Sequence, residues 1–296
     1  MGGYGWGKTS EHDFTEAIRE ALDSGVNFFD TADTYGLGQS ERTLAKGLGS
    51  RRHDVVIESK FGVRAENGKT AYDNSPPYIR MALEGTLRRL RSDYIDIYVI
   101  HYRDMKTPIE DVIATLEKLQ EEGKIRHFGL SNVSEKEYAE MIPYKNQFVN
   151  FQEEYSLACR KNEEKIRRME KHFTPMTWGS LGQGILTGKY GKNVSFDSSD
   201  RRSRDIYVNF HGEKLEQNLK IVGKLGEISR IHERSIASCA IRYILDYLPD
   251  SVVIAGVKGP AQLRANLEAM EYRLTKEEIG LLNAVSMDSA GFDHQG

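Results

Sequence analysis

Residues 94–101, YIDIYVIH, form a short run of β-branched and aromatic residues that ends on a histidine. The run is too short for an ordinary helix and has the composition of a buried strand. Six further segments of this kind follow the same pattern. They are VNFFD at 26–30, DVVIESK at 54–60, IRHFGL at 125–130, QFVNFQ at 147–152, FTPMTW at 173–178 and SVVIAG at 251–256. The sequence therefore predicts seven strands.

Amphipathic helical patterns separate these strands and carry their own start signals. Ser134 with Glu137, and Thr275 with Glu278, have the spacing of a capping box. Thr107 is predicted to cap a further helix by the same motif. Strands that alternate with helices pair in parallel through right-handed crossovers, which leaves a doubly wound sheet or a barrel. The length of 296 residues favours an α/β fold of the (β/α)8 TIM barrel type.

The predicted barrel is one strand short, because a (β/α)8 barrel needs eight strands. The chain opens on the glycine-rich stretch MGGYGWGKTS, directly before a helix predicted at 11–23. We therefore expect a barrel that lacks its first strand in the sequence given, through either a truncated start or a degenerate barrel. We expect a single domain over residues 1–296, with a long polar loop at 190–213 and C-terminal helices at 260–287.

The composition excludes several classes of protein. Charged residues make up 29% and hydrophobic residues 39% of the chain, which is typical of a globular enzyme. The apolar runs are far shorter than the roughly 20 residues of a membrane-spanning helix. A net charge of −3 gives no broad attraction to nucleic acid. Cys159 and Cys239 are too few for a disulfide framework or a metal cluster. We expect a cytoplasmic protein with no nucleic-acid partner, no membrane partner and no bound metal.

Polar residues stand at the ends of the first three predicted strands. These residues are Asp30, Lys60 and His101, and Tyr35 follows the first strand in the loop DTADTYG. Each has an ordinary structural explanation by itself, such as a turn cap or a solvated lysine. In a parallel barrel, however, the carboxyl ends of the strands share the face that carries active sites. The sequence therefore predicts one site that contains an acid, a phenol, a cation and an imidazole.

This set of groups can protonate a developing alkoxide. A neighbouring ammonium favours a phenolate, so Lys60 is expected to lower the pKa of Tyr35 from its ordinary value near 10. Asp30 can hold Lys60 in place and keep it protonated. His101 can donate a hydrogen bond to the substrate oxygen.

Five segments resemble, in order, the signatures of the aldo-keto reductase family. They are FFDTADTYGLGQSE, VVIESKFG, LRSDYIDIYVIHYRD, IRHFGLSN and TWGSLGQGILTGKY. The resemblance covers nearly the whole chain and is strongest to the branch of bacterial aldo-keto reductases and potassium-channel β subunits. It implies reduction of an aldehyde or ketone to an alcohol, or the reverse reaction, with hydride from NADPH or alternatively NADH. In that family pattern Tyr35 is the proton donor, Lys60 and Asp30 tune it, and His101 orients the carbonyl.

The resemblance also implies which residues contact the cofactor. They are Ser131, Asn132 and Gln152 at the carboxamide, Trp178 against the nicotinamide ring, and Ser180, Leu181, Gln183, Arg202, Gly256, Lys258, Gln262 and Asn266 along the remainder of the molecule. Lys258 is the candidate for contact with the 2′-phosphate of NADPH. Trp6 is expected to line the mouth of the substrate pocket. The substrate is expected to be a small carbonyl or sugar-like compound, and the sequence leaves its identity and the oligomeric state open.

Two alternatives belong to other functional classes. Gly2, Gly7, Lys8 and Thr9 match the P-loop pattern G-x-x-x-x-G-K-[ST], which would indicate a nucleotide-binding protein. A P-loop needs a strand that leads into it, and only Met1 precedes Gly2, so this alternative is remote. The other alternative is a non-catalytic, cofactor-sensing subunit of the same fold. The absent first strand favours that subunit, and the four intact polar groups of the predicted site argue against it.

Overall fold

Strands and helices alternate as predicted in a computed structural model, which describes residues 4–66 and 69–287. Contacts within the chain define two units. The first unit contains Tyr4 and residues 10–152, and the second contains residues 5–9 and 153–287.

The first unit is built on a parallel sheet. Its elements are α1 (Glu11–Asp23), β1 (Phe28–Asp30), α2 (Gln39–Leu48), β2 (Val56–Phe61), β3 (Val63–Glu66), β4 (Lys69–Tyr72), α3 (Pro76–Leu90), β5 (Ile95–Ile100), α4 (Ile109–Glu121), β6 (Ile125–Ser131), α5 (Glu135–Met141) and most of β7 (Phe148–Glu154). The sheet has the order β1-β2-β5-β6-β7, and its register pairs Asp30 with Glu58 and Lys60 with Val99. Because the strands run in parallel, the polar residues at their carboxyl ends lie along one edge of the sheet.

A small antiparallel hairpin, which the sequence analysis did not predict, follows β2. Strands β3 and β4 pair with Val63 opposite Tyr72. An Asn-Gly pair at residues 67–68 stands between the two strands in the sequence. Asn-Gly is the strongest short-range signal for a hairpin, so this element was readable from the sequence.

The helix starts follow the predicted capping boxes at two of three positions. Ser134 and Glu137 form both bonds of the box at α5, and Thr275 and Glu278 do the same at a later helix. The predicted cap at Thr107 is wrong. Its hydroxyl donates instead to Asp104 at 2.8 Å, and α4 begins one residue after Pro108 without a side-chain cap. Pro108 therefore occupies the N-cap position, and Thr107 lies one residue too early to accept from the first amides of the helix.

The second unit contains two complete strands and five α-helices among its described residues. These elements are α6 (Glu163–Met169), β8 (Thr174–Trp178), α7 (Gly212–Ile231), α8 (Ile236–Tyr247), β9 (Val252–Val253), α9 (Pro260–Leu267) and α10 (Lys276–Ser286). Strands β8 and β9 pair in parallel. The long polar segment predicted at 190–213 contains two short 3-10 helices, Arg201–Ser203 and Val208–Phe210, and leads into α7.

The seven strands predicted from the sequence are all present, although β1 and β9 are shorter than predicted. Within the described residues, the first strand follows α1, as the sequence indicated. Cys159 and Cys239 are both buried as free thiols. Across residues 4–66 and 69–287, no helix is both long enough and apolar enough to cross a bilayer.

Candidate active site

The four residues predicted to be catalytic all lie in the first unit, at the carboxyl edge of its sheet. Asp30 is the last residue of β1, Lys60 is the fifth residue of β2, and His101 directly follows β5. Tyr35 lies in the loop after β1, where its ring centroid is 5.1 Å from the Lys60 ammonium and 6.0 Å from the His101 ring. The structure therefore brings the four groups together.

Lys60 is buried and ion-paired. Its ammonium donates to Asp30 Oδ1 and to the backbone carbonyl of Thr31 at 2.8 Å. Its side chain is only 1% exposed. Burial alone lowers the pKa of a lysine, but the negative charges around Lys60, chiefly that of Asp30, outweigh burial and raise its pKa. The ammonium therefore stays charged throughout the working pH range.

Tyr35 differs from the sequence expectation in the direction of its pKa. Burial raises the pKa of Tyr35 above its ordinary value, and the opposing charge of Lys60 is not large enough to reverse that effect. A phenolate in a buried site loses its hydration. The free-energy cost of that loss is larger here than the stabilisation by the one nearby ammonium. Tyr35 therefore holds its proton at neutral pH. The prediction of a lowered pKa is wrong in its net direction, although the Lys60 contribution has the expected sign.

His101 is held neutral beside the tyrosine. Burial lowers the pKa of His101 to about 3, and the charge of Lys60 acts in the same direction. Its Nδ1 atom is buried and has no hydrogen-bond partner among the residues described. A neutral imidazole carries one N–H donor and one acceptor, and the tautomer decides which nitrogen donates. His101 can therefore offer a hydrogen bond without adding a charge.

The residues predicted to contact the carboxamide lie on the neighbouring strands. Asn132 donates through Nδ2 to the His101 carbonyl at 3.1 Å and to Ser131 Oγ at 3.0 Å. Its backbone has a φ of +55°, a left-handed conformation that asparagine tolerates better than most residues. Gln152 uses Nε2 to donate to Asp30 Oδ1 at 2.8 Å. These bonds hold the Asn132 and Gln152 side chains at the carboxyl ends of the strands.

One buried carboxyl in this region was missed by the sequence analysis. Glu58 lies two residues before Lys60 on β2 and is 0% exposed. It accepts hydrogen bonds from Asn150 Nδ2 at 2.5 Å and from Gln152 Nε2. Burial, together with the charge of Asp30, raises the pKa of Glu58 to about 8. The alternation of side chains along β2, which puts Glu58 on the same face as Lys60, was the signal that could have found it.

Residues predicted for the cofactor in the second unit begin at the end of β8. Trp178 is half-buried, and its Nε1 has no hydrogen-bond partner within the described part of the chain. Ser180 Oγ lies 3.1 Å from the Thr177 carbonyl and 3.2 Å from the Ile254 carbonyl, so this hydroxyl links the ends of β8 and β9. Leu181 is half-buried at the start of the 3-10 helix Gly182–Thr187.

Gln183 and two residues near the C-terminus are also engaged with their neighbours. Gln183 has a φ of +55° and donates to Glu154 Oε1 at 3.3 Å. Gln262 accepts at Oε1 from the backbone nitrogen of Lys258 at 2.9 Å. Asn266 is buried, and its Nδ2 meets no acceptor among the described residues. Gly256 is exposed with open space at its Cβ position.

A cluster of two cations and one carboxylate surrounds the backbone of Trp6 in the second unit. The ammonium of Lys258 and the guanidinium of Arg202, at 3.1 Å, both donate to the Trp6 carbonyl. Arg202 is also ion-paired with Asp200 at 2.6 Å. The ring of Trp6 packs edge-on against Tyr207 at 5.0 Å. Burial, followed by the charge of Arg202, lowers the pKa of Lys258. The cluster therefore carries a net positive charge that an anion can neutralise.

Gly7 allows the backbone to approach the carboxylate and guanidinium of this cluster closely. Its φ is +89°, and a Cβ there would lie 2.9 Å from Asp200 Oδ2 and 3.3 Å from an Arg202 nitrogen. Gly7→Ala should lower the free energy of unfolding by about 3 kcal/mol, because it adds a clash to the left-handed backbone penalty. Gly25→Ala is the matched control, since Gly25 has a φ of +84° with no atom within 4 Å. It should lose only about 1 kcal/mol. If denaturant unfolding shows that Gly7→Ala and Gly25→Ala lose the same free energy of unfolding, the close contact at Gly7 does not contribute.

The P-loop interpretation of the opening stretch is wrong. Gly2 lies outside the described residues, and Lys8 and Thr9 are exposed. Helix α1 begins only at Glu11, and its cap is Ser10, whose hydroxyl accepts from Asp13 N at 3.3 Å. In a P-loop the helix begins at the G-K-[ST] residues, so that its first amides face the phosphates.

A sequence model described as the Aldo/keto reductase family matches residues 1–287. This chain belongs to the aldo/keto reductase family. It is accordingly an oxidoreductase of the aldo-keto reductase type, which interconverts carbonyl and alcohol groups with a nicotinamide cofactor. The family resemblance predicted from five sequence segments is confirmed.

Known proteins similar to this aldo-keto reductase cover nearly its full length. It is 31% identical over 293 residues to aldo-keto reductase YhdN of Bacillus subtilis (strain 168), which covers 96% of this chain and 87% of that protein. It is 29% identical over 283 residues to aldo-keto reductase yakc of Schizosaccharomyces pombe, whose name specifies NADP(+), with 93% and 82% covered. The structure of glycerol dehydrogenase AKR11B4 from Gluconobacter oxydans matches with a TM-score of 0.86 and 29% identity, over 99% of this chain and 90% of that chain. The predicted α/β class and its TIM barrel type are confirmed.

Proposed function

We propose that this aldo-keto reductase reduces a small aldehyde or ketone, or oxidises the corresponding alcohol, with Tyr35 as proton donor and acceptor and with a preference for NADPH. The observation that carries the proposal is the contact of Tyr35 with the buried Lys60–Asp30 ion pair and with neutral His101. No other described cluster combines a phenol, an ammonium and an uncharged imidazole in this way. A phenol beside a fixed cation can release a proton to an alkoxide and recover it afterwards.

Each of the four groups has a separate task in this proposal. Tyr35 is protonated at neutral pH, so it carries the proton that the reduced carbonyl oxygen takes up. Lys60 stabilises the phenolate that remains, because its ammonium is the only cation in contact with the ring among the described residues. Asp30 holds that ammonium in place. The uncharged ring of His101 donates a hydrogen bond to the carbonyl oxygen and orients it.

The residues of the second unit fit a phosphorylated nicotinamide cofactor. When bound, that cofactor supplies the hydride. The ammonium of Lys258 donates to a neutral carbonyl, so it can turn toward a phosphate without breaking an ion pair with a carboxylate, while Arg202 adds positive charge nearby and stays paired with Asp200. The buried Nδ2 of Asn266 and Nε1 of Trp178 are further donors that a bound molecule can engage. The NADP(+) in the name of the yeast relative supports the same cofactor.

Lys258→Ala should weaken NADPH binding by roughly 10-fold to 100-fold, because it removes a charge-assisted contact worth about 1.5–3 kcal/mol. Binding of NADH, which lacks the 2′-phosphate, should change less than threefold. The dissociation constants of both cofactors can be measured by quenching of protein fluorescence. Lys8→Ala is the matched control, since Lys8 is an exposed lysine of the same unit. Equal weakening of the two cofactors by Lys258→Ala would remove the 2′-phosphate assignment.

The proposed activity is tested by nicotinamide absorbance with a panel of carbonyl compounds and their alcohols, each with NADPH and NADH. Glycerol belongs in the panel because a structural neighbour is a glycerol dehydrogenase. Turnover with at least one pair is expected, and a protein that binds NADPH but turns over no compound would favour the non-catalytic subunit. We further propose one barrel domain, on the family match over residues 1–287, and a cytoplasmic location, on the two free thiols.

A further inference from the structure

Glu58 and Asp30 are two neighbouring carboxyls within the first unit. They are opposite each other in the register of β1 and β2. Gln152 Nε2, on β7, donates a hydrogen bond to both carboxyls and so holds them close together. Glu58 is fully buried, and the Asp30 side chain is 8% exposed. Water therefore hydrates neither carboxyl well, and a negative charge on each of them would be costly in free energy.

Two ionised carboxylates held this close repel each other, and one shared proton removes the repulsion because it lets one carboxyl donate to the other. Lys60 supplies one positive charge and balances only one negative charge. Among the described residues, the charged and titratable groups that act on Glu58 are Asp30 from β1, Lys60 on its own strand and Tyr35 from the loop after β1. From β7 it meets only the neutral amides of Asn150 and Gln152. One proton on the carboxyl pair makes this buried set electrically neutral.

We propose that Glu58 is a positioning residue that shares one proton with Asp30 and thereby keeps the group formed by Glu58, Asp30 and Lys60 neutral beside Tyr35. The inference rests on the proposed function of Tyr35 and adds a residue to it. An ionised Glu58 would add a negative charge next to Lys60 and would oppose release of the proton from Tyr35, since its charge raises the pKa of the phenol. Loss of the shared proton therefore lowers the fraction of Tyr35 that is present as the phenolate, the form that accepts the proton of the alcohol.

The proton on Glu58 can be tested without any catalytic assay. Glu58→Gln keeps the shape but cannot titrate. Its single carbonyl oxygen can accept from one of the two amides, and the other amide must turn its own oxygen toward the new NH2 group. In the unfolded chain Glu58 loses its proton near its ordinary pKa of about 4.5, and in the folded protein it keeps the proton up to a pKa of about 8. The stability contributed by this group is therefore complete below the unfolded value and is lost as the pH rises toward 8. The variant should gain about 5 °C or more in melting temperature relative to wild type between pH 5 and pH 8, and no more above pH 8.

Glu41→Gln is the control for removal of a buried carboxyl. Glu41 is also 0% exposed, but Arg89 pairs with it and Ser59 donates to it at 2.8 Å. Its substitution breaks an ion pair, so we expect a lower melting temperature at every pH in the series. If the difference in melting temperature between wild type and Glu58→Gln is the same from pH 5 to pH 9, Glu58 and Asp30 do not share a proton.

The link to Tyr35 is tested by the pH dependence of kcat for alcohol oxidation. The ratio of kcat for Glu58→Gln to kcat for wild type should be lowest at pH 6.5, where Glu58 holds its proton. At pH 9.5 this ratio should be roughly 10-fold higher, because one unit in the pKa of Tyr35 is a tenfold change in its phenolate. The ratio of the two KM values should not change with pH. If the kcat of both proteins depends on pH in the same way, Glu58 does not act on Tyr35. If wild type has no turnover at all, the proposed function is wrong, and the melting temperatures still test whether Glu58 carries a proton.

Discussion

Tyr35→Phe is expected to lower kcat for carbonyl reduction by about 1,000-fold and to leave the dissociation constant of NADPH within about twofold of wild type. The substitution removes only the hydroxyl that carries the proton, and the ring keeps its contacts with Lys60 and His101. A positioned acid contributes about 10²- to 10⁴-fold, and water cannot replace it in a buried site. The measurement is steady-state nicotinamide absorbance together with a binding titration.

Tyr94→Phe is the matched control for this experiment. Tyr94 stands immediately before β5, whereas His101 stands immediately after it, so the same chemical change is made at the opposite end of one strand. The Tyr94 hydroxyl contacts only His53 Nδ1, at 3.2 Å, among the described groups. We expect wild-type kcat from Tyr94→Phe. A Tyr35→Phe protein that keeps more than a tenth of wild-type kcat would contradict the assignment of the proton donor.

Lys60→Met is expected to abolish turnover and to lower the free energy of unfolding by about 3–5 kcal/mol. Methionine matches the length of lysine but leaves the carboxylate of Asp30 buried without a cation. Removal of one partner from a buried ion pair is costly because the other charge stays desolvated. Chemical unfolding with tryptophan fluorescence measures the stability, and nicotinamide absorbance measures the turnover.

The double variant Asp30→Asn with Lys60→Met separates these two effects. It removes both charges, so most of the lost stability should return, since a buried pair can be replaced by neutral groups at little net cost. Turnover should stay absent, because no ammonium lies beside Tyr35. A double variant as unstable as Lys60→Met would show that the loss comes from packing. Recovery of turnover would contradict the role of the ammonium.

Several features of the site were predictable from local sequence. The strand that ends at His101, the strand that carries Lys60 and the strand that ends at Asp30 were visible as short β-rich runs. Parallel pairing follows from the alternation of strands and helices, and it places strand ends together without any further information. Ser134 with Glu137 marked a helix start because a capping box involves only neighbours in the chain.

Other features depended on contacts between residues far apart in the sequence. The Gln152 amide, for example, donates to Asp30, which is 122 residues away in the sequence. Ser180 and Gln262 were predicted as cofactor contacts, a prediction that stays open, and their side chains also tie down nearby backbone. A side chain with several possible partners takes the one that folding places nearest, and the sequence does not record that distance.

The electrostatics of the site also depend partly on the local sequence and partly on the tertiary structure. The sequence by itself determined which groups stand at the strand ends and the sign of the effect of Lys60 on Tyr35. Only the tertiary structure decided that burial outweighs that effect, and that Glu58 meets Asp30 and Gln152 in the sheet. The physical reason is that desolvation depends on every atom that surrounds a group, whereas pattern and propensity depend on neighbours along the chain.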